Sequence, residues 1–263
     1  MQLTWQTVPS DNMLLCQFMV NYELRQGQYI VAFNEQEQIV AAGILFQQHD
    51  HEAQVDVVVT EASRGQGVGR ALVKRLMKQA SDDEFERLTA HSANGFWQAL
   101  GFSQVGVDAF ACILPQAVKR LVSTWHEGIP LTEFMGLDIS QATKKHVTTS
   151  ANMKNCINVH QSMFAGAIYS QAVLTGWGLI HLRLQCSGLS GSIVLATGEI
   201  KYRQPIVSDP KGEVDHLIEM SSLLPLSKGE KVSIELSVNM HSGDSDQAGA
   251  VFNGRYVILP KTK

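Results

Sequence analysis

The longest apolar stretch of the chain spans residues 167–180, where apolar side chains occupy nearly every helical face. Such a helix does not belong on a protein surface, because a surface helix keeps one polar side. The stretch is interrupted by Ser170, Gln171 and Thr175, and it is shorter than the about 20 apolar residues that a bilayer-spanning helix needs. The pattern therefore predicts a buried helix with a curved sheet wrapped around it.

Segments rich in strand-forming or alternating residues surround this helix and predict antiparallel strands. They are residues 144–151 before the helix, and 192–202, 213–220, 231–240 and 250–259 after it. Turn sequences such as SDPKGE and SKGE separate the later segments. One central helix followed by an antiparallel meander is the element order of a hot-dog fold.

The first part of the chain has a different pattern, which predicts a mixed α/β sheet with helices on both faces. Strands are expected at residues 3–9, 29–33, 39–46 and 54–60, and helices around 13–24 and after a glycine-rich turn at 61–70. The pattern changes between Val107 and Gln116, and a new helix is expected at 116–127. We therefore expect an α+β protein of two domains, 1–111 and 112–263.

The glycine-rich turn reads Arg-Gly-Gln-Gly-Val-Gly at residues 64–69 and joins a strand to a helix. Backbone N–H groups in such a turn can surround a pyrophosphate. The turn resembles the acyl-CoA loop of the GNAT family of N-acetyltransferases, and residues 93–102, which end in Leu-Gly-Phe, resemble a later helix of that family. The resemblance implies that acetyl-CoA or CoA is bound by Val59, Arg64, Gly65, Gln66, Gly67, Val68, Gly69, Arg70 and Asn94.

One departure from the GNAT pattern concerns the proton donor. The residue after Phe96 is commonly a tyrosine that protonates the leaving thiolate, whereas this chain has Trp97, whose indole N–H is no general acid near neutral pH. Glu52, Asp56 or His51 could act as a base toward an amine, although each is also an ordinary solvated side chain at a strand edge. We expect poor acetyl transfer; acyl-CoA binding without catalysis, or a purely architectural loop, are the alternatives.

A polar loop at residues 158–166, Asn-Val-His-Gln-Ser-Met-Phe-Ala-Gly, leads into the buried helix. A helix start carries unsatisfied N–H groups and partial positive charge, so this loop suits the stabilisation of an anion. It resembles the hot-dog domain labelled as a thioesterase and associated with malonyl-acyl-carrier-protein decarboxylases, whose loop has Asn, three residues, Thr or Ser, and then Met-Phe-Ala-Gly. That family includes members with an N-terminal acetyltransferase-like domain, as expected for this chain.

This second resemblance implies decarboxylation of malonyl-ACP, or of malonyl-CoA, to the acetyl thioester, which supplies a primer for fatty acid synthesis. It makes Asn158 the catalytic residue, and it implies acyl carrier protein as a partner, a homodimer, and no cofactor for the decarboxylation. Substrate binding is expected of His160, Ser162, Met163, Phe164, Ala165 and Gly166. From the residues alone, Asn158 is equally well explained as a helix cap, and Met163 and Phe164 as core side chains.

Hydrolysis and decarboxylation place different demands on this loop. Most hydrolytic hot-dog thioesterases need an Asp or Glu near the central helix, and none occurs between Asn158 and Leu182. Decarboxylation needs hydrogen-bond donors at the thioester oxygen in a dry pocket, for which Met163, Phe164 and Trp177 are candidate walls. A thioesterase with His160 as base, and an acetyltransferase or acyl-binding protein with a non-catalytic hot-dog dimerisation domain, are the alternatives.

Charge is distributed unevenly along the chain, whose net charge is −4. Residues 1–110 hold 7 Lys or Arg against 13 Asp or Glu, whereas 111–263 hold 14 against 12. The second half is therefore the better partner for an acidic carrier protein. Without a basic run carrying aromatics, we expect no nucleic-acid partner. Four cysteines without metal-ligand spacing, and no signal peptide, indicate reduced thiols in a cytosolic protein that binds no metal and no membrane: Cys16, Cys112, Cys156 and Cys186.

Overall fold

The computed structural model describes residues 2–91, 95–243 and 245–261. The chain forms two compact units, residues 1–116 and 117–263. This division lies five residues beyond the expected one at 111/112, because the last strand of the first sheet continues to Ile113. The architecture confirms the expected α+β class, with a mixed sheet followed by an antiparallel sheet that packs on one long helix.

The first unit is built on a seven-stranded sheet with strand order β1-β2-β3-β4-β5-β7-β6. Its strands are β1 (Thr4–Pro9), β2 (Gln28–Phe33), β3 (Ile39–His49), β4 (Glu52–Val59), β5 (Arg87–His91), β6 (Ser103–Gln104) and β7 (Ala109–Ile113). The helices are α1 (Met13–Phe18) and α2 (Val68–Asp82). Helix α1 is shorter than the predicted 13–24, since Met19 closes it as the C-cap.

Two hydrophobic clusters cover the two faces of this sheet. Helix α2 contributes Leu72, Val73 and Leu76 to one cluster, and α1 contributes Leu15 to the other. All strand pairs are antiparallel except β4 with β5, which pair only from Glu52 with Arg87 to Gln54 with Thr89. Beyond that point β4 has no partner on this edge within the described residues, so the two strands part and leave an opening in the sheet.

The second unit is a six-stranded antiparallel sheet with strand order β10-β13-β12-β11-β9-β8. Its strands are β8 (Asp138–Ala142), β9 (His146–Ser150), β10 (Gly191–Tyr202), β11 (Pro210–Asp215), β12 (Val232–Ser242) and β13 (Ala250–Pro260). The helices are α3 (Pro115–Gly128), α4 (Pro130–Met135), α5 (Ala165–Cys186) and α6 (Met220–Leu223). This is the hot-dog arrangement that the element order predicted.

One strand of this unit was missed, and the position of another was wrong. The predicted strand 144–151 is confirmed as β9, but it is the second strand of the unit and not the first, because the short edge strand β8 precedes it and was not predicted. The predicted strand 213–220 is displaced to β11, and its last residue instead begins α6. Both errors concern short polar segments whose pairing, not their own pattern, makes them strands.

Helix α5 is the buried helix that the apolar pattern predicted, and it is longer than 167–180 because it begins at Ala165 and ends at Cys186. Several of its polar atoms are hydrogen-bonded inside the core: the Thr175 and Thr149 hydroxyls lie 2.6 Å apart, and the Gln171 amide nitrogen donates to the carbonyl oxygens of Thr149 and Pro210. The buried Gln171 Oε1 and Arg183 Nη1 atoms have no hydrogen-bond partner among the described residues. Gly178 lets Trp125 of α3 pack directly on the helix. No helix in the described ranges is long and apolar enough to cross a membrane.

Candidate active sites

The loop before α5 is organised by the side chain of Asn158. Its carbonyl oxygen accepts the backbone N–H groups of His160 at 2.8 Å and Ser162 at 3.3 Å. Its amide nitrogen donates to the Ser162 hydroxyl at 3.1 Å and, at the longer distance of 3.4 Å, to the Met163 carbonyl. Asn158 thus closes the turn before the helix and does not cap the helix itself.

The first turn of α5 presents free backbone donors. Phe164 is the N-cap residue, and its side chain gives the helix no cap hydrogen bond. Its own N–H donates to the Cys156 carbonyl at 2.6 Å, and the Met163 N–H donates to Ile206 at 2.8 Å. Within the described part of the chain, the N–H groups of Ala165 and Gly166 have no hydrogen-bond partner. Two adjacent donors therefore lie unpaired at the positive end of a 22-residue helix.

The apolar residues of the loop occupy different environments. Met163 is buried and belongs to the core, whereas Phe164 is 56% exposed. The Phe164 ring lies against Gly166, where a Cβ atom would collide with it. Trp177 stacks on His181 and donates to the Ile193 carbonyl; it lies about 18 Å along the helix from Ala165, at 1.5 Å per residue. Trp177 is therefore not a wall of this loop.

The sequence segment that contains this helix start has no carboxylate side chain. No Asp or Glu occurs in the sequence between Asp138 and Glu199, and the first turn of α5 has no acidic residue. His160 is exposed, and its imidazole has no ion-pair or hydrogen-bond partner in the described residues. Burial raises the pKa of the neighbouring Cys156 thiol, which therefore stays neutral. Nothing here resembles a nucleophile paired with a base.

The glycine-rich turn of the first unit presents a second set of free donors. Gly65 and Gly67 have φ angles of 73° and 81°, in the left-handed region that glycine adopts without strain. Within the described residues, the six N–H groups from Gly65 to Arg70 have no hydrogen-bond partner. The Arg64 guanidinium donates to the Val59 carbonyl at 3.3 Å, which ties the turn to the end of β4.

The other residues expected to bind CoA mostly shape the turn. Gln66 uses its side-chain amide to hold the Ala62 carbonyl at 2.8 Å. Val68 is buried under the turn, and Gly69 gives room to the Phe96 ring. Asn94 lies outside the described residues. The turn is thus a concave array of backbone donors followed by a helix start, which is the geometry of a phosphate site.

A cavity of about 790 Å³ adjoins this turn and includes the opening between β4 and β5. Trp97 lines it, although only 3% of its surface is exposed, and packs against Phe96 and Phe102. Of the three candidate bases only Asp56 lines the cavity. Glu52 is paired with Arg87 at 2.5 Å, and His51 lies 3.8 Å from Glu86.

Several cavity residues were missed in the sequence analysis. Tyr29 is one of them and is 98% buried at the cavity wall. Arg25 does not itself line the cavity, but it donates to the lining residue Asp56 at 2.9 Å. Burial raises the pKa of the Tyr29 phenol, so it remains protonated near neutral pH. These residues come from a loop and two strands that are neighbours only in the folded sheet, and no local spacing could have joined them. Within the described ranges, no cluster of His, Cys, Asp and Glu can hold a metal ion.

The two sites and their folds define a class: a GNAT acetyltransferase domain followed by a hot-dog domain of the acyl-thioester type. Residues 118–260 match the family model described as "Putative thioesterase (yiiD_Cterm)", and residues 25–104 match "Acetyltransferase (GNAT) domain". The first match covers more than half of the chain. The protein therefore belongs to this thioesterase-like family, with an acetyltransferase domain at its N-terminus.

Solved structures agree with the match to the thioesterase family model. The putative thioesterase from Shewanella oneidensis is 36% identical, with a TM-score of 0.52, over 56% of this chain and 100% of that chain. A protein of unknown function from Chlorobaculum tepidum is 24% identical, with a TM-score of 0.51, over 56% of this chain and 96% of that one, and this likeness concerns the fold alone. The Shewanella protein thus corresponds in full to the second unit without the first.

Proposed function

We propose that the hot-dog domain decarboxylates malonyl-ACP to acetyl-ACP. The observation that carries this proposal is the pair of unpartnered N–H groups at Ala165 and Gly166, at a helix start with no Asp or Glu between Asp138 and Glu199. Cleavage of the malonyl C–C bond releases CO2 and leaves an enolate, whose charge resides largely on the thioester oxygen. Free donors at that oxygen lower the barrier, whereas a nearby carboxylate would raise it.

Asn158 has the proposed role of an additional donor to the same oxygen. Its amide contact to the Met163 carbonyl, at 3.4 Å, is longer than a good N–H···O hydrogen bond of about 2.9 Å. That hydrogen can therefore turn from Met163 to a substrate oxygen at little cost, while the Asn158 carbonyl continues to hold the turn. The proposal assigns to Asn158 two tasks, fixing the loop and supplying one donor.

The rest of the loop would shape the substrate site. His160 and Ser162 lie on the same turn and are placed to contact the malonyl carboxylate or the pantetheine arm, and Phe164 lies half-exposed beside Gly166. An exposed phenyl ring next to the free donors would exclude water once substrate is bound. The malonyl carboxylate is already ionised and leaves as CO2, so no general base is required, and the enolate carbon then takes one proton from solvent.

Acyl carrier protein as the natural carrier, and a homodimer as the working unit, complete the proposal. The positive balance of residues 111–263 supports an acidic partner. Strand β10 is a 12-residue edge strand with no neighbour, in the described residues, on the side away from β13. Such an edge can pair with the same strand of a second copy and extend the sheet.

Mass spectrometry of the purified protein with malonyl-ACP tests this function directly. Acetyl-ACP, lighter than the substrate by one CO2, is the expected product. Free ACP would instead indicate hydrolysis, and unchanged malonyl-ACP would contradict both activities. The same reaction with malonyl-CoA compares the two carriers.

A thioesterase is the second candidate, favoured by the name of the Shewanella relative. His160 would have to activate water without a carboxylate to orient its ring, since that imidazole has no such partner among the described residues. Catalytic histidines ordinarily have an orienting group. The absence of one here is why decarboxylation is the preferred reaction.

For the N-terminal domain we propose acyl-CoA binding with slow acetyl transfer. The six free N–H groups from Gly65 to Arg70 support pyrophosphate binding, and the unpaired edge of β4 supports binding of the pantetheine arm. Trp97 supports the slow transfer, because its ring lines the cavity and its indole cannot protonate a thiolate. Calorimetry with CoA tests the binding, and release of free thiol from acetyl-CoA tests the transfer.

A further inference from the structure

The cavity of the first unit extends well beyond the CoA turn. One part of its wall is the turn itself; another part is formed by residues of the α1 face, which no comparison assigns to CoA. Those residues combine apolar and charged groups: Met19, Tyr22, Glu23, Tyr29, Ile44 and Asp56. A volume of about 790 Å³ leaves space for a second small molecule beside the thioester end of an acyl-CoA.

Strand register places three of these residues in one row. Tyr29 of β2 is opposite Ile44 of β3, which is opposite Asp56 of β4. Residues directly opposite each other in an antiparallel pair point to the same face of the sheet. The row therefore has a phenol at one end, an aliphatic side chain in the middle and a carboxylate at the other end, beside the opening between β4 and β5.

The carboxylate end of this row has more negatively than positively charged side chains. Arg25 donates to Asp56 at 2.9 Å and lies 3.8 Å from Glu23, and its guanidinium packs over the Phe46 ring. Gln54 donates to the other Asp56 oxygen at 3.2 Å. Two carboxylates share one guanidinium, so this end of the cavity has one negative charge in excess. A ligand with a single positive charge neutralises it.

The phenol end carries a free donor. The Tyr29 oxygen accepts the backbone N–H of Arg25 at 2.9 Å, and the phenolic proton has no acceptor within the described residues. Tyr29 lines the cavity and is only 2% exposed, so its hydroxyl is shielded from bulk water. A buried donor without an acceptor indicates a ligand atom that accepts a hydrogen bond.

We propose that the N-terminal domain takes as its acceptor a monoamine with an apolar body, whose single ammonium binds at Asp56 and Glu23 and whose oxygen accepts from Tyr29. This inference rests on the proposed acyl-CoA function of the domain. Met19, Tyr22 and Ile44 surround the apolar body. A carboxylate on the acceptor would be repelled by the excess negative charge. A second ammonium group would have no further carboxylate to pair with.

Acetyl transfer to this amine requires no reactant other than acetyl-CoA. The amine nitrogen, after loss of one proton to solvent, bonds to the acetyl carbon, and the C–S bond breaks with its electron pair on sulfur. The nitrogen then loses a second proton, and the thiolate gains one. The products are the N-acetyl amine, CoA and one proton in solution.

Calorimetry on the full-length protein with four matched amines tests the proposal, with and without CoA. Tyramine has the one charge, the apolar ring and the oxygen; tyrosine adds a carboxylate, 2-phenylethylamine lacks the oxygen, and 1,4-diaminobutane has two charges. We expect tyramine to bind about tenfold more tightly than any of the other three, as expected for one charge or hydrogen bond in a partly enclosed site.

Charge variants sharpen the test. Arg25→Gln increases the excess to two negative charges, so the binding preference should shift from tyramine toward 1,4-diaminobutane. Glu23→Gln should weaken the binding of every amine. Asp82→Asn is the matched control, because its carboxylate pairs with Lys78 on the outer side of α2 and not in the cavity. Thermal melting confirms that each variant is folded, and Glu23, which is largely exposed, tolerates substitution.

Equal affinity for the four amines, or no change of ranking in Arg25→Gln, would overturn the proposal. Absence of CoA binding by the wild-type protein would be a separate result. It would refute the proposed acyl-CoA role, and the ranking of the amines would still be measured without CoA. Thiol release from acetyl-CoA with tyramine and no release with tyrosine would extend the result from binding to transfer.

Discussion

The hydroxyl of Tyr202 donates a hydrogen bond to the carbonyl oxygen of Ala165 across 3.0 Å, which joins the end of β10 to the first residue of α5. The bond holds the residue whose N–H is one of the two proposed oxyanion donors. Tyr202 is therefore a positioning residue in the proposed reaction, and β10 is part of the site as well as an edge of the sheet.

Tyr202→Phe should lower turnover more than it lowers stability. Loss of this hydrogen bond costs about 1 kcal/mol of unfolding free energy, while a displaced donor pair should reduce decarboxylation about tenfold or more. Steady-state rates with malonyl-ACP and thermal melting measure the two effects. Ser227→Ala is the control, because it removes a similar exposed hydroxyl-to-carbonyl bond, to Leu224, away from the loop. Equal rates for the two variants would contradict the role of Tyr202.

Asn158→Ala and Asn158→Asp separate the two tasks given to this residue. The Asp variant keeps oxygens that can accept the N–H groups of His160 and Ser162, but it loses the amide donor and adds a charge beside the enolate. We expect a folded protein with turnover reduced about a hundredfold or more, the size typical of one lost oxyanion donor. The Ala variant should lose similar activity and also about 1 kcal/mol of stability, because it removes the hydrogen bonds that hold the turn.

Asn152→Asp serves as the control for Asn158→Asp. Asn152 accepts the backbone N–H of Lys154 at 3.0 Å in a neighbouring turn of the same domain. The Asn152→Asp variant therefore adds the same negative charge outside the loop. Its turnover should remain close to that of the wild type. Near wild-type decarboxylation by Asn158→Asp would show that Asn158 only shapes the loop.

Gly67→Ala tests the CoA turn by a purely conformational change. A Cβ atom at this position would touch nothing, but the φ of 81° is unfavourable for alanine by about 1–2 kcal/mol. We expect CoA binding to weaken at least about tenfold, because the N–H groups of the turn shift from their common direction. Gly101→Ala, with a φ of 92° and an equally empty surrounding, should destabilise the domain without weakening CoA binding. Calorimetry that finds the two variants alike would remove the turn from the site.

The hot-dog domain should fold and decarboxylate malonyl-ACP alone. Residues 115–263 begin with α3 and retain Trp125, which packs on Gly178 of α5, and the Shewanella relative consists of the corresponding domain. A shorter fragment, 130–263, lacks Trp125 and Leu121 and should aggregate or melt at a lower temperature. A folded 115–263 fragment without turnover would contradict this expectation.

The same fragment should be a dimer at micromolar concentration, joined through β10. Analytical ultracentrifugation provides the measurement, and the fragment 1–114, which lacks the hot-dog sheet, is the comparison and should sediment as a monomer. A monomeric 115–263 fragment would leave the β10 edge unpaired and remove the proposed continuous sheet.

Much of the fold follows from local pattern. A helix with no polar face must be buried, and the alternating segments after it supply the sheet that buries it. The same reasoning located the turn at residues 64–69, because glycines between a strand and a helix leave backbone donors free. The edge strand β8 escaped prediction, since its conformation comes from pairing with β9 and not from its own residues.

The sequence by itself determined the two-domain order, the buried helix, the positions of both donor-rich loops and the scarcity of acidic residues around α5, since each is a property of neighbouring residues. Tertiary structure alone decided that the Asn158 amide turns back on its loop, that Tyr202 holds Ala165, and that Tyr29 and Asp56, the partner of Arg25, line one cavity. These contacts join residues by strand register and loop closure, at separations of up to 37 positions. Local pattern carries no information about such pairs, because pairing across a sheet is set by the burial of the whole chain.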